Sequence, residues 1–186
     1  MHERIDVNNL LLAALFSALG VVIPLVFHLV GMGSVFLPMY IPLAMGAFML
    51  GRGNAAMAGF FTPLASAVLT GMPPFYPPVA AIMMVQLSAF CFTISFLSHR
   101  AGAGLFAALA AAVLVDRALL ALLNFLVLPL LSLSPVLVTA YDMLKALPGI
   151  ILLFLVVPAA VPRCIKIIGR HSLSPYGHGR GGKHEH

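Results

Sequence analysis

The chain has 186 residues, of which 62% are hydrophobic and 8% are charged. Its mean hydropathy of +1.09 excludes an ordinary soluble domain. The formal net charge of +5 does not indicate a nucleic-acid partner, because the basic residues follow the gaps between apolar segments. Contact with anionic lipid headgroups fits the same charges.

Six apolar runs predict an all-α integral membrane protein with six transmembrane helices. A helix crosses a bilayer with about 20 residues, and roughly 17–25 is the usual range. We therefore expect one membrane domain over residues 1–168 and a disordered basic tail, rich in Gly and His, over 169–186. The second run is short for a span and the fifth is long. The runs are 9–30, 36–50, 54–70, 79–97, 104–131 and 136–161.

The basic residues predict the orientation of these helices. Three gaps between runs, 31–35, 71–78 and 132–135, contain no Lys or Arg. Short loops rich in Lys and Arg stay cytoplasmic, so both termini are expected inside and the three uncharged loops outside. The basic residues outside the runs are Arg4, Arg52, Arg100, Arg163, Lys166, Arg170, Arg180 and Lys183.

The first run contains two small residues four positions apart, Ala14 and Ala18. This spacing lets another helix approach closely in lipid. The pattern is common in alanine-rich spans, so it fits docking of a partner subunit and packing inside the bundle equally well.

Two of the uncharged segments, 31–40 and 71–78, combine Gly and Pro with Met, Phe and Tyr. Pro fixes φ and Gly permits tight turns, so both segments should have a defined conformation rather than be flexible. Phe36, Met39 and Tyr40 in the first segment would cap a partly apolar ligand. Anchoring of the aromatic rings at the membrane interface is the alternative.

Polar side chains inside the last three runs are the candidate binding site, because such groups are costly in a bilayer. Counting about 1.5 Å per residue from the outer helix ends predicts a similar depth for Gln86, Asn124 and Asp142. Lys145 and Arg117 should lie deeper. Spacing of three or four residues places Asp142, Lys145 and Tyr141 on one helix face. Alternatively, Asp116–Arg117 and Asp142–Lys145 neutralise one another as structural pairs.

The chain resembles the substrate-binding S components of energy-coupling factor (ECF) vitamin transporters over about residues 8–168. The resemblance rests on six helices with both ends inside, Ala14 and Ala18, and the three segments given next. The three segments are 36–42 (FLPMYIP), 66–74, which contains LTGMPP at 69–74, and 147–150 (LPGI). One subgroup of that family typically has His at the position of Tyr40 and Glu at that of Gln86.

The resemblance implies a binder of a vitamin or related small molecule in the plasma membrane of a prokaryote, with the ligand near the outer surface. It implies docking through Ala14 and Ala18 onto a transmembrane coupling subunit, and transport driven by two cytoplasmic ATPases. No phosphate-binding loop of the GxxxxGK[ST] type occurs in the sequence, so ATP hydrolysis is assigned to the partners. The chain itself is not expected to be an enzyme or to need a cofactor.

Two other functions remain open from the sequence. An ion-coupled secondary transporter would use Asp142 or Asp116 as its cation site. A membrane enzyme would use Asp116, Asp142 or His28, although no HExxH, paired acidic motif or nucleophile elbow occurs. No metal site is predicted in the spans. The His residues of the tail fit metal binding less well than a lipid-facing disordered segment.

Overall fold

The structure is a computed structural model that describes residues 7–29, 38–76, 78–131 and 134–172. The described residues are helical, with no strand, which confirms the predicted all-α class for this part of the chain. A 3-10 turn, Leu128–Leu131, extends the fifth helix. The helices are α1 (Val7–Leu29), α2 (Tyr40–Ala47), α3 (Arg52–Thr70), α4 (Val79–His99), α5 (Leu105–Val127), α6 (Pro135–Lys145) and α7 (Leu147–Ser172).

Four helical stretches among the described residues are long and apolar enough to cross a membrane, as expected of a membrane protein. They are Asn9–Val26, Val79–His99, Leu105–Leu130 and Val136–Ile167. Neither α2 nor α3 belongs to this set. Helix α7 continues to Ser172, so its last turn covers the first four residues of the predicted tail. The remaining tail, 173–186, lies outside the described residues.

The six apolar runs do not correspond one to one with helices. The second run contains only the eight-residue helix α2. The sixth run holds two helices, which meet at Ala146. Pro148 has no N–H to donate to the carbonyl of Leu144, so the α-helical ladder is interrupted where α6 ends.

Helix α2 lies at the centre of the bundle, where it packs against α1, α3, α4 and α7. Six of its eight residues are buried, among them Leu43 and Ala44. Phe90 and Ile94 of α4 and Val157 of α7 complete the same apolar core. A short helix suffices here because protein, rather than lipid, surrounds it.

The tightest helix contact joins α3 to α4 at Gly59. A Cβ atom at this position would collide with the backbone carbonyl of Leu87. Glycine therefore lets the two backbones touch, which is a common way for helices to pack in membranes. This contact fixes the position of α4, which carries Gln86 beside Leu87.

The two ends of the bundle differ in charge. At one end Arg52 lies over the ring of Phe96, with its guanidinium carbon 6.0 Å from the ring centroid. Ser95 at this end donates a hydrogen bond of 2.7 Å to the carbonyl of Leu50. We call this the basic end. The opposite, uncharged end carries the loop between α3 and α4 and the connection from α5 to α6.

Candidate functional site

A cavity of about 650 Å³ lies at the uncharged end, between α4, α5 and α6. Small-molecule sites typically measure about 300–1,000 Å³. The α3–α4 loop contributes Met72 and Pro73, and the turn before α2 contributes Pro38 and Met39. Most of the lining is apolar, for example Ile82 of α4. The cavity therefore suits a ligand with an apolar body.

Seven of the nine residues predicted to bind a ligand line this cavity, one does not, and one lies outside the described residues. Tyr141 is absent from the lining and is 61% exposed. Its ring instead faces the Lys145 ammonium, with Nζ 5.3 Å from the ring centroid. Phe36 lies outside the described residues. The seven that line the cavity are Met39, Tyr40, Gln86, Arg117, Asn124, Asp142 and Lys145.

A buried network closes the deep part of the cavity around Asp116. Tyr40 donates its hydroxyl to Asp116 Oδ1 at 3.0 Å. Arg117 donates from Nε and Nη2 to Asp116 Oδ2, at 2.8 and 2.5 Å. Gln86 Nε2 lies 3.5 Å from Asp116 Oδ1 and 3.4 Å from the Asp116 carbonyl. Three different helices, α2, α4 and α5, therefore meet at one carboxylate.

Asp116 is a structural residue in this arrangement. Its side chain is 2% exposed, and donors from three side chains surround it. It does not line the cavity, whereas Arg117, 16% exposed, does. The ion pair with Arg117 compensates a carboxylate that would otherwise be costly at this depth.

A second polar group lies nearer the uncharged end and joins α5 to α6. Asn124 donates through Nδ2 to Thr139 Oγ1 at 3.2 Å and lies 3.5 Å from Asp142 Oδ2. Thr139, which is buried, is not among the residues predicted from the sequence. Thr139 lies three residues before Asp142 on the same helix face, and this spacing could have identified it from the sequence as a neighbour of the site.

Asp142 and Lys145 do not form a direct ion pair. Within the described ranges, 7–29, 38–76, 78–131 and 134–172, the Asp116–Arg117 contact is the one Asp/Glu–Lys/Arg pair within 4.0 Å. Both residues line the cavity. Of the two structural pairs considered from the sequence, only the one on α5 is therefore formed.

The expectation that Gln86, Asn124 and Asp142 share one depth is wrong. Gln86 contacts Asp116, which lies eight residues from Asn124 on α5. At about 1.5 Å per residue this separates the two amides by roughly 12 Å along the helix. Counting from helix ends assumed that all three helices end at one level. The contact of Gln86 with Asp116 shows that the outer ends of α4 and α5 lie at different levels.

Hydrogen bonds hold the α3–α4 loop in shape over the cavity. Ser66 donates to the carbonyl of Met72 at 2.7 Å, and Thr70 donates to the same oxygen at 3.2 Å. Gly71 ends α3 with φ +72°, a left-handed conformation that favours glycine. Phe75 and Tyr76 are exposed and do not line the cavity. The residues of this loop that line the cavity are Gly71, Met72, Pro73, Pro74 and Pro78.

No family model, curated protein or solved structure matches this chain. Among the described residues, no three His, Cys, Asp or Glu side chains are grouped closely enough to hold a metal ion. The described lining of the cavity offers hydrogen-bonding and charged groups in an apolar enclosure.

Ala14 and Ala18 lie away from the cavity, on the outer face of α1. Both are exposed, whereas Phe16 and Gly20 point into the bundle. A Cβ atom at Gly20 would meet the side chain of Thr62. The other face of α1 therefore packs into the bundle, and both alanines lie on its exposed face.

Proposed function

We propose that this chain is a membrane-embedded substrate-binding subunit that captures a vitamin or related small molecule outside the cell. ATP-driven uptake would follow through an ECF-type module, as the resemblance to S components implies. The partners in this proposal are a transmembrane coupling subunit and two cytoplasmic ATPases. The chain would lie in the plasma membrane of a prokaryote.

One observation carries the proposal: a cavity of about 650 Å³ lined by Gln86, Arg117, Asn124, Asp142 and Lys145. Charged and amide groups are costly in a bilayer unless they serve a ligand, water or one another. Of these groups, only Arg117 is neutralised by an ion pair within the described residues. A polar ligand would use the others.

The proposal includes six membrane crossings with both termini in the cytoplasm. Helix α3 has 19 residues, within the roughly 17–25 that a span needs. Helix α2 would cross together with the residues on either side of it. The uncharged end would face outward because Lys and Arg are absent from its connections, and the basic end would face the cytoplasm.

The exposed face of α1 that carries Ala14 and Ala18 is the proposed docking surface for the coupling subunit. Small side chains let a second helix approach, and in lipid such close packing replaces the hydrophobic effect as the driving force. The cavity lies between α4, α5 and α6, so docking and ligand binding would use different parts of the molecule.

Uptake into proteoliposomes tests this function. Vesicles would hold the chain with a coupling subunit and two ATPases from an ECF transporter, and uptake of labelled vitamins would be measured with ATP inside. Uptake should need ATP, and Asn124→Ala should reduce it by weakening binding. Leu122→Ala, at an exposed position of the same helix, should not. ATP-dependent uptake that Asn124→Ala leaves intact would refute the site.

An ion-coupled transporter is the second candidate, and the observation in its favour is Asp142. This carboxylate lines the cavity and has no direct ion pair among the described residues. Uptake driven by a proton or sodium gradient, without ATP and without partner subunits, would favour that candidate over an S component.

A further inference from the structure

The ammonium of Lys145 lines the cavity without a hydrogen bond or ion pair to any described residue. Its recorded contact is with the ring of Tyr141, with Nζ 5.3 Å from the centroid. Asp142, three residues earlier on the same helix, interacts with this ammonium electrostatically but does not form a direct ion pair with it. A cation in a low-dielectric surrounding is stabilised by a direct counter-charge. An anionic group on a ligand would supply it.

Arg117 adds hydrogen-bond donors to the same region. Its Nε and one Nη2 hydrogen are directed to Asp116, and Nη2 also lies 3.5 Å from the hydroxyl of Tyr40. No hydrogen bond from Nη1 to a described residue is recorded, although Arg117 lines the cavity. A guanidinium has five N–H donors, so it retains donors for a ligand while Asp116 neutralises its charge.

The two amides present oxygen rather than nitrogen to a ligand. Gln86 uses its Nε2 donor toward Asp116, and Asn124 uses its Nδ2 donor toward Thr139 and Asp142. Neither side-chain carbonyl oxygen accepts a hydrogen bond from the described residues. Every fully buried side-chain nitrogen or oxygen of the described residues has a hydrogen-bond partner, so these two oxygens are not fully buried. Both oxygens are therefore accessible. The Asn124 oxygen and the Asp142 carboxylate form an acceptor group nearer the uncharged end, whereas the Gln86 oxygen lies deeper, at the level of Asp116.

We propose that the cavity takes a small, largely apolar molecule with a carboxylate at one end and N–H or O–H donors at the other. The carboxylate pairs with Lys145 and receives donors from Arg117. The donors of the ligand face the oxygens of Asn124 and Asp142. This inference rests on the proposed function and adds the chemical class of the substrate to it.

Binding of matched acid and neutral compounds to the purified full-length protein tests this class. The probes are nicotinate with nicotinamide, pantothenate with pantothenol, and biotin with its primary amide, and thiamin serves as a cation. Affinities are measured by isothermal titration calorimetry at neutral pH. At least one acid should bind about tenfold or more tightly than its neutral partner, the scale of one charge-assisted hydrogen bond.

Three variants assign that preference to Lys145. Lys145→Gln should remove the preference, and Lys145→Arg should retain much of it. Lys166→Gln makes the same change at an exposed position of α7 and should leave it unchanged. Thermal melting of each variant would show that Lys145→Gln is folded.

The outcomes separate the ligand class from the function. Tight binding of a neutral compound or of thiamin, without preference for an acid, would overturn the class and leave the proposed function standing. An acid preference that survives in folded Lys145→Gln would overturn the assignment to Lys145 and with it the inference. Absence of binding by every probe would count against both the class and the function.

Discussion

Asp116 and Asp142 are two carboxylates of the same helix bundle with different surroundings. Asp116 is enclosed by donors from Tyr40, Gln86 and Arg117. Asp142 has one recorded hydrogen-bond neighbour, Asn124 at 3.5 Å, and lines the cavity. The first therefore stabilises the fold, and the second is available to a ligand.

This difference predicts that removing each carboxylate changes the stability of the protein by a different amount. Asp116→Ala leaves Arg117 without its counter-charge and should lower the free energy of unfolding by about 3 kcal/mol, as breaking a buried pair does. Asp142→Ala should change stability by about 1 kcal/mol or less, because it breaks only one long hydrogen bond. Thermal unfolding of both purified variants in the same detergent gives the comparison. Equal losses, or a larger loss for Asp142→Ala, would contradict the assignment.

The identity of the polar residues could be predicted from the sequence, but their partners could not. Charged and amide side chains inside apolar runs are rare enough to single out Gln86, Asn124 and Asp142. Helical spacing does not reveal that Gln86 lies beside Asp116, because that depends on how far α4 is shifted along α5. The hydrogen bond of Tyr40 to Asp116, 76 positions away in sequence, depends in the same way on tertiary packing, here that of α2.

At the scale of helices, the contact between α3 and α4 depends on Gly59. A Cβ atom here would meet the carbonyl of Leu87, whereas one at Gly53, near the start of the same helix, would meet nothing within 4 Å. The two glycines therefore form a matched pair within α3.

Gly59→Ala should destabilise the protein by about 1–3 kcal/mol, because the helices must move apart to admit the methyl group. Gly53→Ala should be neutral or stabilise slightly, since alanine is the better helix former. Unfolding temperatures of the two variants in detergent provide the test. If Gly59→Ala melts at the wild-type temperature, the helices are not in backbone contact at this position.

The outer face of α1 gives a prediction about assembly. Ala14→Leu with Ala18→Leu should weaken co-purification with a coupling subunit while leaving ligand affinity unchanged, because these side chains lie away from the cavity. Ala118→Leu enlarges an exposed alanine on α5 and serves as the matched control. Normal assembly of the double variant would contradict docking through α1.

Hydropathy predicted where apolar helices lie but not where they break. The sixth run reads as one segment, although Pro148 already indicates the interruption after Lys145 that divides it into α6 and α7. The second run reads as a short span, whereas α2 is an eight-residue helix within the core. Its burial depends on neighbouring helices, and that information is not local.

At the scale of the whole molecule, the central claim is that the cavity at the uncharged end opens to the outside of the cell. The cavity is lined by loop residues of that end, among them Met72 and Pro78, and by Met83 on α4. Arg52 and His99 belong to the opposite, basic end. With this distribution of charge, the positive-inside rule predicts that the cavity opens on the exterior side.

Labelling of single cysteines in intact cells tests this claim most directly. Both native cysteines, Cys91 and Cys164, are first replaced by Ala, and Met83→Cys or Leu114→Cys is then added. Met83 lines the cavity, whereas Leu114 is an exposed residue in the apolar middle of α5. A membrane-impermeant maleimide should label Met83→Cys from outside and leave Leu114→Cys unlabelled, because the reagent needs water. Labelling of Met83→Cys only from the cytoplasmic side, or from neither side, would contradict an outward-facing binding cavity.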